Sequence, residues 1–415
     1  MNFHQNNEFL IFLLLNIFSQ TLTSYPQNYT VPYLYSVRIG SQSTEIKLLL
    51  NSFSSNNVLF SNSNRIYSKE ISKGRMSDVY IDKLEFNGQI IPEFPFSLIL
   101  DNTGLNSPEI QGEFGLGIDK DNRNDLIENL FINQIIARRK IILETSNDLK
   151  NNKIELDTES IANEFKYCNL TRKADLDNFY SEAWVCELSH LIEGESDIKS
   201  LQLNWEKAEE IKGRALFDTR QKYIILPIKY LEKFERFWHL NNSQEILDKS
   251  LNLKYLKCDN RTYEKIKNEN HITFIIDGYG IEFSFDELFE NEGNFKKSLI
   301  RFTDTINDSN IFIFGIPLFK KYEIMLDYEN KRVGLKGEII DFTEFYNEWK
   351  EEEVIKIHES NAISMVWTNE KIIMGIGTII GGLIILYILF SVIRESKRNN
   401  ENKIHSKFIE QVKDY

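Results

Sequence analysis

The chain has 415 residues and a formal net charge of −13, and apolar residues make up 42% of it. That length supports two core-forming lobes, and the negative balance argues against nucleic acid as a partner, because phosphate binding needs a basic face. The six histidines are scattered without metal-ligand spacing, so neither a metal nor another cofactor is expected.

The N-terminal segment carries an apolar run from Phe9 to Phe18, followed by small and polar residues up to Ser24. This predicts a signal peptide over residues 1–24. An N-terminal anchor is the competing reading, although the run is short for a bilayer crossing. From Tyr33 to about Lys336 the pattern is mainly short β segments. Tyr35–Ile39 alternates and stops at Gly40, Glu45–Leu50 follows, and Val79–Phe86 ends at the tight-turn pair Asn87-Gly88. Further strands are predicted at Pro95–Leu100, Lys140–Leu143, Ala183–Leu188, Ala215–Phe217, His271–Ile276, Ile281–Phe285, Ile311–Phe314 and Tyr322–Leu326. Helices are predicted at Asp125–Ile136 and at Ile228–Leu240, the second with Pro227 as its start signal.

The C-terminal quarter reads as a membrane anchor. Residues 339–371 are charged around Glu351-Glu352-Glu353 and predict a solvated juxtamembrane stalk. Ile372 to Ile393 is 22 residues without a charge, the length of a spanning helix. Arg394, Lys397 and Arg398 follow at once, which orients the body to the lumen or exterior and leaves residues 394–415 as a short cytoplasmic tail. Gly377 and Gly381 form a small-xxx-small pair, which offers a helix-mediated dimer as one reading and chance occurrence as the commoner one. Sequons at Asn28, Asn169, Asn241, Asn260 and Asn307 agree with a secretory route, to the plasma membrane or an endolysosomal membrane. Three cysteines give no disulfide framework; Cys168 and Cys186 are a candidate pair across neighbouring strands, and Cys258 is left over as a buried thiol.

Five segments, in order, resemble the pepsin-like aspartic protease family. Tyr35-Ser36-Val37-Arg38-Ile39-Gly40 resembles its opening strand and turn. Gly112-Glu113-Phe114-Gly115-Leu116-Gly117 resembles the segment that threads beneath the first active-site loop. Ala215 to Pro227, with Asp218-Thr219 inside, resembles the second catalytic stretch. His271 to Gly278 resembles a later strand and turn. Ile313 to Asp327, continuing to Arg332-Val333-Gly334-Leu335, resembles the family's closing segment. The resemblance implies a mainly β, bilobal fold with an interlobe cleft, an N-terminal lobe at 30–165 and a C-terminal lobe at 166–338, to which the sequence adds a C-terminal transmembrane helix. It also implies a catalytic pair of aspartates, one per lobe, of which one takes a proton from water while the other donates to the substrate carbonyl.

One member of that pair is missing. Leu48-Leu49-Leu50-Asn51-Ser52-Phe53 carries Asn51 at the first aspartate position, opposite the retained Asp218. A carboxamide does not titrate near neutrality, so it holds a water without exchanging a proton with it. Phe53 and Arg220 replace the glycines of the two motifs and crowd the centre. Arg220 either pairs with Asp218 or points to solvent. Ser52 and Thr219 keep hydroxyls where the family braces one loop against the other. Aligning Gly74-Arg75-Met76-Ser77 with the family's flap puts Ile71 at its tyrosine position. These departures predict a pseudoenzyme that binds a peptide or protein ligand in or near the cleft by strand addition. The alternatives are an active, atypical aspartic-type endopeptidase and a structural or adhesive surface glycoprotein.

Overall fold

The computed structural model describes residues 33–40, 44–60, 69–73, 78–86, 88–99, 110–118, 126–146, 152–156, 164–171, 182–194, 208–238, 244–248, 253–267, 271–306, 310–352 and 383–397. The first half runs β1 (Leu34–Ile39), β2 (Thr44–Asn51), β3 (Val58–Phe60), β4 (Lys69–Lys73), β5 (Asp78–Phe86), β6 (Gln89–Ile99), β7 (Gly112–Gly115), α1 (Leu126–Ile132), β8 (Lys140–Glu144) and β9 (Lys153–Leu156). The second half begins with β10 (Lys166–Asn169), β11 (Val185–Gly194), β12 (Glu209–Phe217) and β13 (Ile224–Pro227). Then come α2 (Leu231–Phe237), β14 (Gln244–Asp248), β15 (Leu253–Asp259), α3 (Asn260–Ile266), β16 (His271–Ile276) and β17 (Tyr279–Ser284). It closes with β18 (Phe289–Glu292), β19 (Phe295–Ser298), β20 (Ile300–Thr303), β21 (Ile311–Phe314), α4 (Ile316–Lys321), β22 (Glu323–Asp327), β23 (Arg332–Lys336) and β24 (Ile339–Asp341).

The two halves repeat one strand plan. In the first sheet the order is β1-β2-β7-β3-β6-β5-β4, with β2 parallel to β7, β7 antiparallel to β3, and β3 parallel to β6. In the second, β11-β12-β21-β13-β20 follows the same sequence of senses. Within each plan the inner strand β7 or β21 runs beside the strand that leads into the loop carrying Asn51 or Asp218. The β13, β20 and β21 segments are buried along their whole length. Strands covered on both faces read as unbroken apolar runs, and Ile311–Phe314 does so. By contrast β1 alternates buried Val37 and Ile39 with exposed Ser36 and Arg38, as a strand covered on one face does.

A third sheet, β10-β23-β22-β8-β9, takes strands from both halves. One apolar core runs through the body, with Leu48, Leu50 and Phe114 from the first half and Phe217, Phe314 and Trp184 from the second. The Trp184 indole donates to the Leu116 carbonyl at 2.6 Å, and the Tyr328 hydroxyl reaches the same oxygen at 2.7 Å. Between β16 and β17, Asp277 and Gly278 both take positive φ, 48° and 86°. This is the two-residue hairpin turn whose twist matches that of its strands.

Several boundaries differ from the sequence reading. β11 begins at Val185 and runs on to Gly194, β6 starts at Gln89, and α1 is confined to Leu126–Ile132. The body continues past residue 339, where the sequence predicts the start of a stalk. Ile339–Asp341 pairs with β17, and Phe342 and Ile340 are buried with Ile192 and Ile275. The Tyr346 hydroxyl donates to Asp277, so the body extends to that residue. Residues 347–415 form a separate unit, in which 383–397 is helical. Among the described residues no helix is long and apolar enough to cross a membrane; the first half of the predicted span, 372–382, lies outside them.

Candidate functional site

The first loop leaves β2 at Asn51 and is fixed from below by β7. The parallel register sets Leu49 beside Glu113, Leu50 beside Phe114 and Asn51 beside Gly115. A Cβ on Gly115 would stand 2.2 Å from the backbone carbon of Ser55, so only glycine lets the loop lie on the strand. The same closeness recurs in the other half, where a Cβ on Gly315 would stand 2.3 Å from the Gln221 carbonyl oxygen. Because Gly115 meets backbone and not a side-chain tip that can swing away, Gly115→Ala is expected to destabilise the body by at least about 1–3 kcal/mol. The shift in urea midpoint measures it.

The two loop tips clasp each other through buried hydroxyls. The Ser52 N–H donates to Thr219 Oγ1 at 3.1 Å, and the Thr219 N–H donates to Ser52 Oγ at 2.9 Å. In turn Ser52 Oγ donates to the Phe217 carbonyl at 2.8 Å and Thr219 Oγ1 to the Leu50 carbonyl at 2.6 Å. Four backbone groups from two halves of the chain are thereby satisfied by two side chains. Asn51 and Asp218, each the residue before its bracing hydroxyl, are consequently brought to the same centre, with exposures of 2% each.

Both tips are occupied by their own neighbours. The Asn51 Oδ1 accepts from the N–H groups of Phe53 and Ser54 at 2.9 and 3.3 Å. Those donors fix the carboxamide: its oxygen faces the loop, and its Nδ2 must face outward. There it donates to Glu113 Oε2 at 2.6 Å. On the other side Arg220 turns inward. Its backbone N–H and Nε donate to Asp218 Oδ1 at 2.9 and 3.1 Å, and its Nη2 donates to Oδ2 at 3.2 Å. The guanidinium lies 5.0 Å from the Phe53 ring centroid, and Phe53 packs in turn against the apolar cluster that contains Val185, Tyr223 and Ile225. Both oxygens of Asp218 are therefore bonded to one buried cation.

Glu113 is the residue the sequence reading missed. It lies inside the Gly112–Gly117 segment. Burial raises its carboxyl above the ordinary value of 4.5; Arg220 and the Asn51 hydrogen bond pull it back, and the charge of Asp218 pushes it up again. The side chain is only partly buried by exposed area. The one sequence signal was a charged residue at the middle of an otherwise apolar and glycine strand. A further acid steadies the loop: Glu182 Oε2 accepts from the Ser55 N–H and hydroxyl at 3.1 and 2.9 Å.

The remaining predicted positions fall elsewhere. Ile71 lies on β4, at a register shift against β5 between Glu70 and Ser72; residues 74–77 are outside the described residues. Cys168 and Cys186 lie on β10 and β11 as two free thiols and not as the predicted disulfide. The Cys168 thiol donates to the Ile276 carbonyl at 3.5 Å and the Cys186 thiol to the Cys168 carbonyl at 3.6 Å. Burial, with the adjacent Cys168 thiol adding to it, raises Cys186 well above an ordinary thiol, which disfavours the thiolate that oxidation needs. Cys258 is buried on β15 opposite Lys296, and burial pushes its thiol up to about 11. Of the sequons, Asn169 is exposed with its amide on Asp277, and Asn260 is exposed at the first turn of α3. Asn28, Asn241 and Asn307 lie outside the described residues. Among the described residues no His, Cys, Asp and Glu group is placed to hold a metal.

The fold is that of a pepsin-like aspartic proteinase. The aspartic proteinase from Irpex lacteus is similar in structure with a TM-score of 0.58, over 76% of this chain and 96% of that one, at 17% sequence identity. No protein-family model matches the sequence, and no curated protein matches it.

Proposed function

We propose that residues 33–346 form a pepsin-like body that does not hydrolyse peptides as it stands and that binds an extended peptide or protein segment in or beside the cleft between its lobes. One observation carries the reading: Asp218 spends both oxygens on Arg220, while the facing position is a carboxamide. A general base must be free to accept a proton from water, and Asn51 has no proton to exchange. The body is carried on a single span at 372–393, lumenal or extracellular, with sequons glycosylated. That part rests on the uncharged run in the sequence and on the exposed apolar residues from Leu383 to Ile393 of the described helix.

The test uses the full chain in detergent with an unfolded, alkylated protein at acid pH. No cleavage is expected. Cleavage that pepstatin blocks and Asp218→Ala abolishes would overturn inactivity. Extraction from membranes at alkaline pH would overturn the span. A second reading, a structural or adhesive glycoprotein, is favoured by the packing of Phe53 on Arg220, which fills the centre with the protein's own side chains. The two separate in a peptide-display selection. A cleft ligand competes with pepstatin, whereas an adhesive surface does not.

A further inference from the structure

The centre holds more ionisable groups than its proposed silence requires. Two carboxyls and one guanidinium meet there, with Asn51 between Glu113 and the first loop. We propose that Glu113 supplies the first-half carboxyl that is absent at position 51, and that Arg220 is a built-in lock which keeps the resulting Glu113–Asp218 acid pair from acting on a peptide.

The argument is geometric. The β2–β7 register puts Glu113 two residues back from the position beside Asn51, and the β3–β7 register puts it opposite Val58. Phe114, the next residue along the strand, is fully buried in the core, so Glu113 leaves the strand on the opposite face. There its carboxyl meets the outward Nδ2 of Asn51 at 2.6 Å. Asn51 therefore presents a carboxyl to the centre, although it is not one itself. The groups whose charge bears on Glu113 are Arg220 and Asp218 from the second loop, with Asn51 as its polar neighbour. One carboxyl in such a pair favours the proton and the other the charge. Glu113, whose carboxyl is raised above 4.5, is the group placed to carry the proton, and Asp218 is the group bonded through both oxygens to Arg220.

With the guanidinium removed, the chemistry balances with water as the only co-reactant. Asp218 takes a proton from a water whose oxygen bonds to the peptide carbonyl carbon, while Glu113 gives its proton to the carbonyl oxygen. The gem-diol then returns that proton to Glu113. The C–N bond breaks, and the nitrogen takes the proton held by Asp218. Silence in the unmodified chain then lies in the lock, while Glu113 takes the part that the Asn51 carboxamide cannot play, so the inference rests on the proposed inactivity and deepens it.

The test assays the full chain carrying Arg220→Gly or Arg220→Leu on the same unfolded substrate at acid pH. Cleavage about 10²-fold or more above the unmodified chain is expected, and adding Glu113→Gln or Asp218→Asn to either variant should abolish it. Carbon-13 NMR of the Glu113 carboxyl is the second measurement, made on the unmodified chain. The carboxyl should titrate above 4.5, and Asp218→Asn should lower its midpoint. A titration at or below 4.5 overturns the assignment. So does a folded Arg220→Gly chain that stays silent until Asn51→Asp is added. If the unmodified chain itself cleaves, the proposed inactivity fails. Glu113→Gln then decides the inference separately: lost cleavage supports Glu113 as the second acid, and retained cleavage overturns it.

Discussion

Combining Ser52→Ala with Thr219→Val is expected to remove at least about 4 kcal/mol of stability, at about 1–3 kcal/mol for each buried backbone group left without a partner. The four groups are the N–H of Ser52, the N–H of Thr219, and the carbonyls of Phe217 and Leu50. Both side chains are fully buried, so water does not replace them. Because the two hydroxyls serve each other's loops, the single variants should not add. A double-mutant cycle on urea midpoints should show about 0.5–3 kcal/mol of coupling. Additive single effects would mean that the loops are held by something other than this clasp. The Arg220–Asp218 pair lies outside the cycle and should survive it, since Asp218 also receives its bonds from within its own loop.

Asp327→Asn is expected to cost about 3–5 kcal/mol at neutral pH, the range for removing one partner of a buried ion pair. Asp327 is fully buried at the end of β22, where Lys140 of β8 stands 3.6 Å away and Arg332 of β23 donates at 3.0 Å. Asn330 adds bonds from its backbone and side chain at 3.1 and 2.8 Å. Burial alone would raise this carboxyl, but the Asn330 bonds, Arg332 and Lys140 together hold it below the ordinary 3.8. A depressed folded pKa gives stability that is present above 3.8 and is lost as pH falls through the lower folded value. The gap between the native chain and the variant should thus be widest near neutrality and narrow below 3.8. Thermal melts across that range measure it; a gap that widens in acid would place the pair outside the folding equilibrium. The site joins strands from both halves in one sheet.

The sequence reading found the strands whose pattern is local. His271–Ile276 and Ile311–Phe314 have the predicted limits, because each is bounded by turn residues and carries a continuous apolar face. Among the strands it missed are β3, β4, β9, β10, β14 and β18 to β20, which have three to five residues each, and the seven-residue β15. Segments that short hold together through their neighbours, and their own composition says little. The same division applies at the centre. Asn51, Asp218, Ser52 and Thr219 could be named from motif order alone. The direction of Arg220 could not: pairing with Asp218 and pointing to solvent were both open. Burial beside Phe53 and two accepting oxygens within reach decided for the inward turn.

By itself the sequence determined a mainly β chain, because periodicity and turn residues act over a few positions; the two-lobed plan, with Asn51 opposite Asp218, followed only from what the resemblance of five segments implies. Only the tertiary structure decided which groups meet at the centre. Glu113 reaches Asn51 across 62 residues, and Ser52 reaches Thr219 across 167. The first contact is set by the register of β7 on β2 and the second by how the two loop tips meet, and no local pattern records either. Likewise only the folded chain shows the thiols of Cys168 and Cys186 turned to carbonyl oxygens, and the Glu113 carboxyl within hydrogen-bond reach of Asn51.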